Sequence, residues 1–313
     1  METNYALNRR VRTNAAVSKE SGAGKVGAKL LPYAMVAPSI AVFCVFILYP
    51  IGYMIYLSFF HWNLIGPKTF IGLENYLDLF HDADFWQVMG NSFLYMFLMV
   101  AFSLMIPLLL AFALKQDTRL NKFLQGVLFT PYIVSLVSIS YVWMWMMDSD
   151  YGLINYLLHL LGMSPVGWLS DPSVALPSLI FVSVWKGIGY NTIIFISSME
   201  TIPQYLYEAA NLDHAKKRTV FFRITLPMIS PTIFFLTLMN IISAFKVFET
   251  VNLMTQGGPL NSTNTLVYDI YQYGFQFYKI GYASAMGVVL MGIIGICTVL
   301  YFRALSRRIH YRS

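Results

Sequence analysis

Hydrophobic residues in this chain gather into six runs, at 31–60, 93–114, 126–147, 174–199, 224–245 and 283–302, separated by polar stretches. Each reaches the roughly 20 residues that a helix needs to cross the hydrocarbon core of a bilayer. The pattern predicts an all-α, polytopic membrane protein with six transmembrane helices. The first run is too long for the apolar core of a cleavable signal, and no clear small-residue cleavage site follows it, so it is expected to remain as a span bent near Pro50. Pro107 and Pro131 fall inside the second and third runs, where neighbouring helices and local adjustment satisfy the freed carbonyls.

Composition agrees: at 57% hydrophobic and 12% charged residues the chain is too apolar for a soluble domain. Cys44 and Cys297 both lie in apolar runs, which leaves no disulfide framework or metal cluster to expect. The net charge of +6 is expected to reside in cytoplasmic loops rather than to mark a nucleic-acid partner. Lys and Arg resist translocation, and their placement sets the orientation. With the amino terminus inside, six fall in residues 1–29 and three at Lys115, Arg119 and Lys122. Four more are Lys216, Lys217, Arg218 and Arg223, and another four are Arg303, Arg307, Arg308 and Arg312. The outer loops hold only Lys68 and Lys279, with Lys186 and Lys246 in or near spans. Both termini are therefore expected in the cytoplasm: a flexible tail over 1–29, the membrane domain over 30–305 and a second tail over 306–313. The fragment from Gly22 to Lys25 lacks the first glycine and the Ser or Thr of a phosphate-binding loop, so no ATPase is read into it.

Residues 205–227 break the apolar pattern. They carry Glu208, Asp213, Lys216, Lys217, Arg218 and Arg223 between two spans and read as two short helices joined at a turn. Charge at that density belongs in water or against another protein. Glu208-Ala209-Ala210, Asp213 and Ile224-Thr225-Leu226-Pro227 resemble the EAA loop of permease subunits in binding-protein-dependent ABC importers, most closely the maltose, lactose and glycerol-phosphate group. The resemblance extends over about residues 30–305, through Gly72-Leu73-Glu74-Asn75-Tyr76 before the second span and Gly257-Gly258-Pro259 after the fifth. The last is similar to the glycine-rich turn of maltose F-type permeases, and on residue grounds alone it reads as a tight outer turn.

The resemblance implies the type I ABC importer permease fold. It implies a coupling loop at about 200–223, where Glu208, Ala209, Ala210, Asp213 and His214 meet an ATPase cleft. The family's glycine after the loop aspartate is replaced here by His214, which is expected either to adopt a left-handed backbone or to sit in a shifted turn and reach the ATPase. Implied partners are a second permease, two ATPase subunits that use ATP and Mg, an extracytoplasmic solute-binding protein and a sugar, in a prokaryotic cytoplasmic membrane. The chain itself is implied to be non-catalytic and to need no cofactor.

Polar residues at membrane depth mark candidate sites. Lys186, near the middle of the fourth run, either faces a cavity or partner helix or is packed against carbonyls of the bundle. Gly187 and Gly189 allow close approach of a backbone or ligand, and Asn191 adds an amide. By resemblance, Gly187 and Tyr190 match positions along the sugar path. Asn240, Ser243, Ala244 and Val247 recur at i, i+3, i+4 and i+7 on the fifth run and complete the candidate path. The family can have polar groups where Ala244 and Val247 stand. Lys246 and Glu249 read as an interfacial ion pair rather than a gate, and Trp143, Trp145 and Trp168 as an aromatic belt rather than faces for sugar stacking. Gly281, Ala283, Ala285 and Gly287 permit close packing, either internal or against the second permease.

Other chemistries find little footing. The five histidines scatter over loops and tails, and no base at membrane depth could activate a serine. An ion-coupled secondary transporter of a small polar solute is the alternative, but such proteins use intramembrane acids and the six runs hold none away from their ends. A structural membrane protein would not need an EAA loop.

Overall fold

The computed structural model describes residues 22–305. Residues 1–21 of the expected first tail and the whole expected tail at 306–313 lie outside the described residues. Helix α1 (Gly22–Phe43) already begins within the expected tail, so residues 22–29 are helical. Apart from glycines this stretch holds Ala, Lys and Val without proline, and it runs directly into the apolar span.

The chain divides into two units after Tyr53. In the first, α1 is followed by a π-helical turn (Cys44–Leu48) and the start of α2 (Tyr49–Leu57). The Tyr49 N–H reaches back to the Cys44 carbonyl. The distortion expected at Pro50 is thus taken up by a widened turn just before it, which accommodates the missing N–H.

The second unit continues from Met54. A short antiparallel pair, β1 (Phe60–His61) and β2 (Thr69–Phe70), sets Phe60 opposite Phe70. After α3 (Glu74–His81), α4 (Ala83–Leu114) forms the second span, with the Asp82 side chain accepting from the Asp84 N–H at its start. Pro107 sits inside α4 without ending it. The fourth span is α8 (Pro172–Glu200), capped by Asp171 with proline at the first helical position. It is the central strut, packed against both α4 and α5 (Arg119–Ile133).

Two expected spans are not continuous. The third is α5 followed by α6 (Leu136–Met146), bent by 99° at the break. Val134 and Ser135 are extended there, three residues after Pro131 has removed a helix donor. The fifth is broken by 66° at Ile229. Pro227 and Pro231 flank that residue and deny the helix two N–H groups; α12 (Ser230–Phe245) restarts with Pro231 in its first turn, where no donor is needed. Four helices are long and apolar enough to cross alone, and the two bent pairs bring the number to six among the described residues.

The segments between spans are clasped to them. Asn75 donates to the Ser58 and Phe60 carbonyls at 2.8 and 3.1 Å, and the Tyr76 hydroxyl donates to Ser58 Oγ at 2.7 Å, so two residues of the Gly72–Tyr76 motif lock the chain leaving the first span. A short helix, α7 (Leu153–Leu160), lies in the loop before the fourth span, where Trp168 donates to Asn155 Oδ1 at 2.9 Å. Trp143, expected in an interfacial belt, is instead buried, with Phe181 and Trp185 edge-on at 5.1 and 5.2 Å, because α6 turns its side chain into the bundle. Trp145 is exposed, as a belt residue would be.

The sixth span, α14 (Ile280–Leu305), shows that its small residues pack internally. Ala283 and Ala285 are buried, a Cβ on Gly281 would land on the Phe60 carbonyl, and one on Gly287 would sit 2.7 Å from Met54 Sδ.

Candidate functional site

Between α4, α8, α12 and the elbow of the third span lies a cavity of about 430 Å³. One stripe of α8 supplies Ser183, Lys186, Gly187, Tyr190 and Asn191, spaced by three or four residues so that they share a face. From α12 come Asn240 and Ser243, and from the chain beyond it Val247. Seven of the eight expected path residues therefore meet. The exception is Ala244, which is buried in the apolar core beside Met99 and Val251. The helix finishes in a tight turn, with Val247 N–H on the Ala244 carbonyl, and this brings Val247 to the cavity while Ala244 faces away.

That ending also corrects the expected ion pair. Lys246 and Glu249 both line the cavity, but α12 stops at Phe245, so they do not share a helical turn and form no ion pair.

Lys186 satisfies both of its expected readings. It lines the cavity, and its ammonium donates to the carbonyls of Pro131, Tyr132 and Val134 at 3.2, 3.1 and 2.7 Å. The break in the third span leaves these carbonyls without helical donors, and a lysine supplies the three needed. Tyr190 stacks on Tyr132 with ring centroids 4.5 Å apart and planes 13° from parallel. Asn191 is buried and donates to the Ser103 carbonyl at 2.9 Å, which ties α8 to α4. The Asn240 amide donates within its own helix, to Leu236.

The charged loop forms α9 (Gln204–Leu212) and α10 (Lys217–Val220). His214 has φ +54°, the left-handed conformation expected of it. Its N–H donates to the Asn211 carbonyl at 3.0 Å and the Ala215 N–H to the Ala210 carbonyl at 2.9 Å. These two bonds are the Schellman closure that glycine normally permits, here built on histidine. Glu208, Ala209, Asp213 and His214 are exposed, but Ala210 is buried. Expected on the docking surface, Ala210 turns inward because Leu206, Tyr207 and Ala210 form the inner face of α9. The outward stripe is Tyr205, Glu208, Ala209 and Leu212, with Leu212 83% exposed.

At the turn after the fifth span, Gly257 has φ +81° and Gly258 precedes Pro259. A Cβ on Gly257 would press on the Tyr268 ring at 3.0 Å, so both backbone angle and space require glycine. Asn91 of α4 fastens this turn by donating to the Asn261 and Asn264 carbonyls at 2.7 and 3.0 Å. Nearby Asp269, on α13 (Leu266–Tyr271), accepts from Asn264 at 3.1 Å, and burial pushes its carboxyl up to about 6.

Residues 103–311 match the family described as binding-protein-dependent transport system inner membrane component. The chain belongs to that family. It is 37% identical over 269 residues to the probable ABC transporter permease protein YurN of Bacillus subtilis (strain 168), covering 84% of this chain and 91% of that protein. It is 32% identical over 286 residues to the sn-glycerol-3-phosphate transport system permease protein UgpA of Pectobacterium atrosepticum, covering 90% and 96%. In structure it is similar to a chain of the bacterial alginate ABC transporter in complex with alginate pentasaccharide-bound periplasmic protein. The TM-score is 0.81 at 25% identity, covering 91% of this chain and 96% of that one. The chain is thus an all-α membrane permease of an ABC importer, and ATP hydrolysis belongs to separate subunits.

Of the polar residues that line the cavity of this permease, four escaped the sequence reading: Tyr95, Tyr132, Ser183 and Thr250. Ser183 could have been found, since it lies one turn before Lys186. Tyr132 could not, because it reaches the cavity only through the break in the third span. The Tyr95 hydroxyl donates to Ser183 Oγ at 2.6 Å.

Proposed function

We propose that this permease forms half of the path for a sugar or sugar derivative, paired with a second permease, and that the cavity on α8 is its substrate wall. The cavity carries the reading: tyrosine rings offer flat faces, and hydroxyl and amide groups offer directional partners, as a polyhydroxy solute requires. The names of UgpA and of the alginate transporter point to polyol phosphate and saccharide cargo, and this chain is read in their company. A solute-binding protein docks outside, with the Gly257–Pro259 turn among its contacts. Of two ATPase subunits, which use ATP and Mg, one docks inside on the outward stripe of α9 and on His214. The distribution of Lys and Arg supports cytoplasmic termini.

The test is reconstitution of the permease pair with its ATPase and binding protein in proteoliposomes, offered glucose, maltose, an alginate oligosaccharide and sn-glycerol-3-phosphate. ATP-dependent uptake of at least one is expected, and uptake of none overturns the cargo assignment. In a chain with Cys44 and Cys297 replaced, a cysteine in the 148–171 loop should label from outside and one at Asn121 should not. The reverse pattern overturns the orientation.

A further inference from the structure

The geometry points to Lys186 as a positioning residue that clamps the elbow of the third span onto the fourth, so that Tyr132 and Tyr190 travel as one cavity wall during transport. All three ammonium donors are engaged by backbone carbonyls at the elbow, Pro131 and Tyr132 before the break and Val134 within it. A fully engaged ammonium is not a free hook for an anionic cargo. Its role is exerted through the residues it holds. Two further contacts on the same face of α8 reinforce the joint. Gly189 lies so close to α5 that a Cβ would land on the Leu128 carbonyl, and Tyr190 stacks flat on Tyr132. Residues 186, 189 and 190 thus bind one helix face to both the straight part of α5 and its broken end.

Backbone carbonyls at membrane depth have no water from the lipid side to fall back on. Without Lys186, the two or three carbonyls at the elbow would seek other donors, and the end of α5 would be free to rotate away from α8. The clamp therefore keeps the bend from acting as a loose hinge between the two cavity walls.

This inference rests on the transport reading above, and the experiment separates the two. In the complete importer, Lys186→Met should lower the maximal uptake rate by about tenfold or more, with the half-saturating concentration of loaded binding protein changed less than about twofold. Lys186→Arg, which keeps the positive charge and several N–H donors, should recover most of the rate. A second readout needs no sugar. Tyr132→Cys with Tyr190→Cys, in a chain lacking Cys44 and Cys297, is treated with a short bifunctional thiol reagent at rest and after trapping with ATP, Mg and vanadate. With Lys186 present the cross-linking yield should be equal in both states, and with Lys186→Met it should fall severalfold on trapping. If the Met variant does not assemble, Lys186→Gln takes its place. Equal yields in both states for the variant, or a normal uptake rate, overturn the clamp. So does a change confined to the half-saturating concentration, because a clamp acts on the rate. A wild type that imports none of the panel strikes at the transport reading, while the cross-link still decides the clamp.

Discussion

Leu212 offers the sharpest test of how the charged loop docks. Its side chain is 83% exposed at the end of α9, beside the exposed Tyr205, Glu208 and Ala209. Leu212→Ala removes three carbon groups, each worth about 0.8 kcal/mol on burial. Scaled by the exposed fraction, full burial in an ATPase cleft would make the loss about 2 kcal/mol, or roughly 30-fold in affinity. Almost none of that loss should appear in the fold, because an exposed side chain contributes only about 0.5 kcal/mol either way. The assay is titration of the ATPase subunit onto the detergent-solubilised permease pair, with the melting temperature of the pair measured alongside. Leu206→Ala is the contrast, since Leu206 packs against the core around Phe195 and Met199 and should lower the melting temperature first. An affinity for Leu212→Ala within twofold of wild type would refute the outward stripe as the docking face.

His214→Gly removes a left-handed histidine costing about 1 kcal/mol while keeping the Schellman closure, so the melting temperature should rise; His214→Val should lower it. Gly281→Ala should cost about 2 kcal/mol or more, because its Cβ meets the rigid Phe60 carbonyl, whereas Gly287→Ala should be mild because the Met54 thioether can move; thermal unfolding of the two variants compares them directly. Asp269 has a folded-state carboxyl raised to about 6 by burial, so between about pH 4 and pH 6 the unfolded chain loses this proton first and stability falls as pH rises. The drop is on the order of 3 kcal/mol, and Asp269→Asn should flatten that part of a melting-temperature profile.

The second, fourth and sixth spans were legible because apolar length alone defines an unbroken helix. The breaks were not legible, and the prolines show why. Pro107 lies inside α4 without ending it, whereas Pro131 precedes a 99° bend. The residue type is the same, but at the second a lysine from another helix donates to the carbonyls that the break exposes. That lysine is 55 positions away, beyond any local pattern. The face of α8 that lines the cavity could be read from helical spacing, and His214 from the absence of glycine where the turn needs one. Ala210 was misplaced because a motif fixes residue identities without saying which side of a helix faces the bundle. Only the packing of Leu206 and Tyr207 decides that.

The separation between Lys186 and the elbow has a consequence for how the protein is made. At roughly 5–20 residues per second, the ribosome needs on the order of 3–10 s to add the 55 residues from Pro131 to Lys186. During that interval the third span enters the membrane without the donors that stabilise its bend, and the lipid favours a helix with every carbonyl paired internally. The nascent span should therefore begin straight and fold at Val134 only after the fourth span arrives. Chains arrested before and after residue 186 has entered the bilayer should differ in the depth of a label placed on α6, with the shorter chain holding it along the axis of α5. The elbow is then an acquired shape, written into the membrane by a later part of the message.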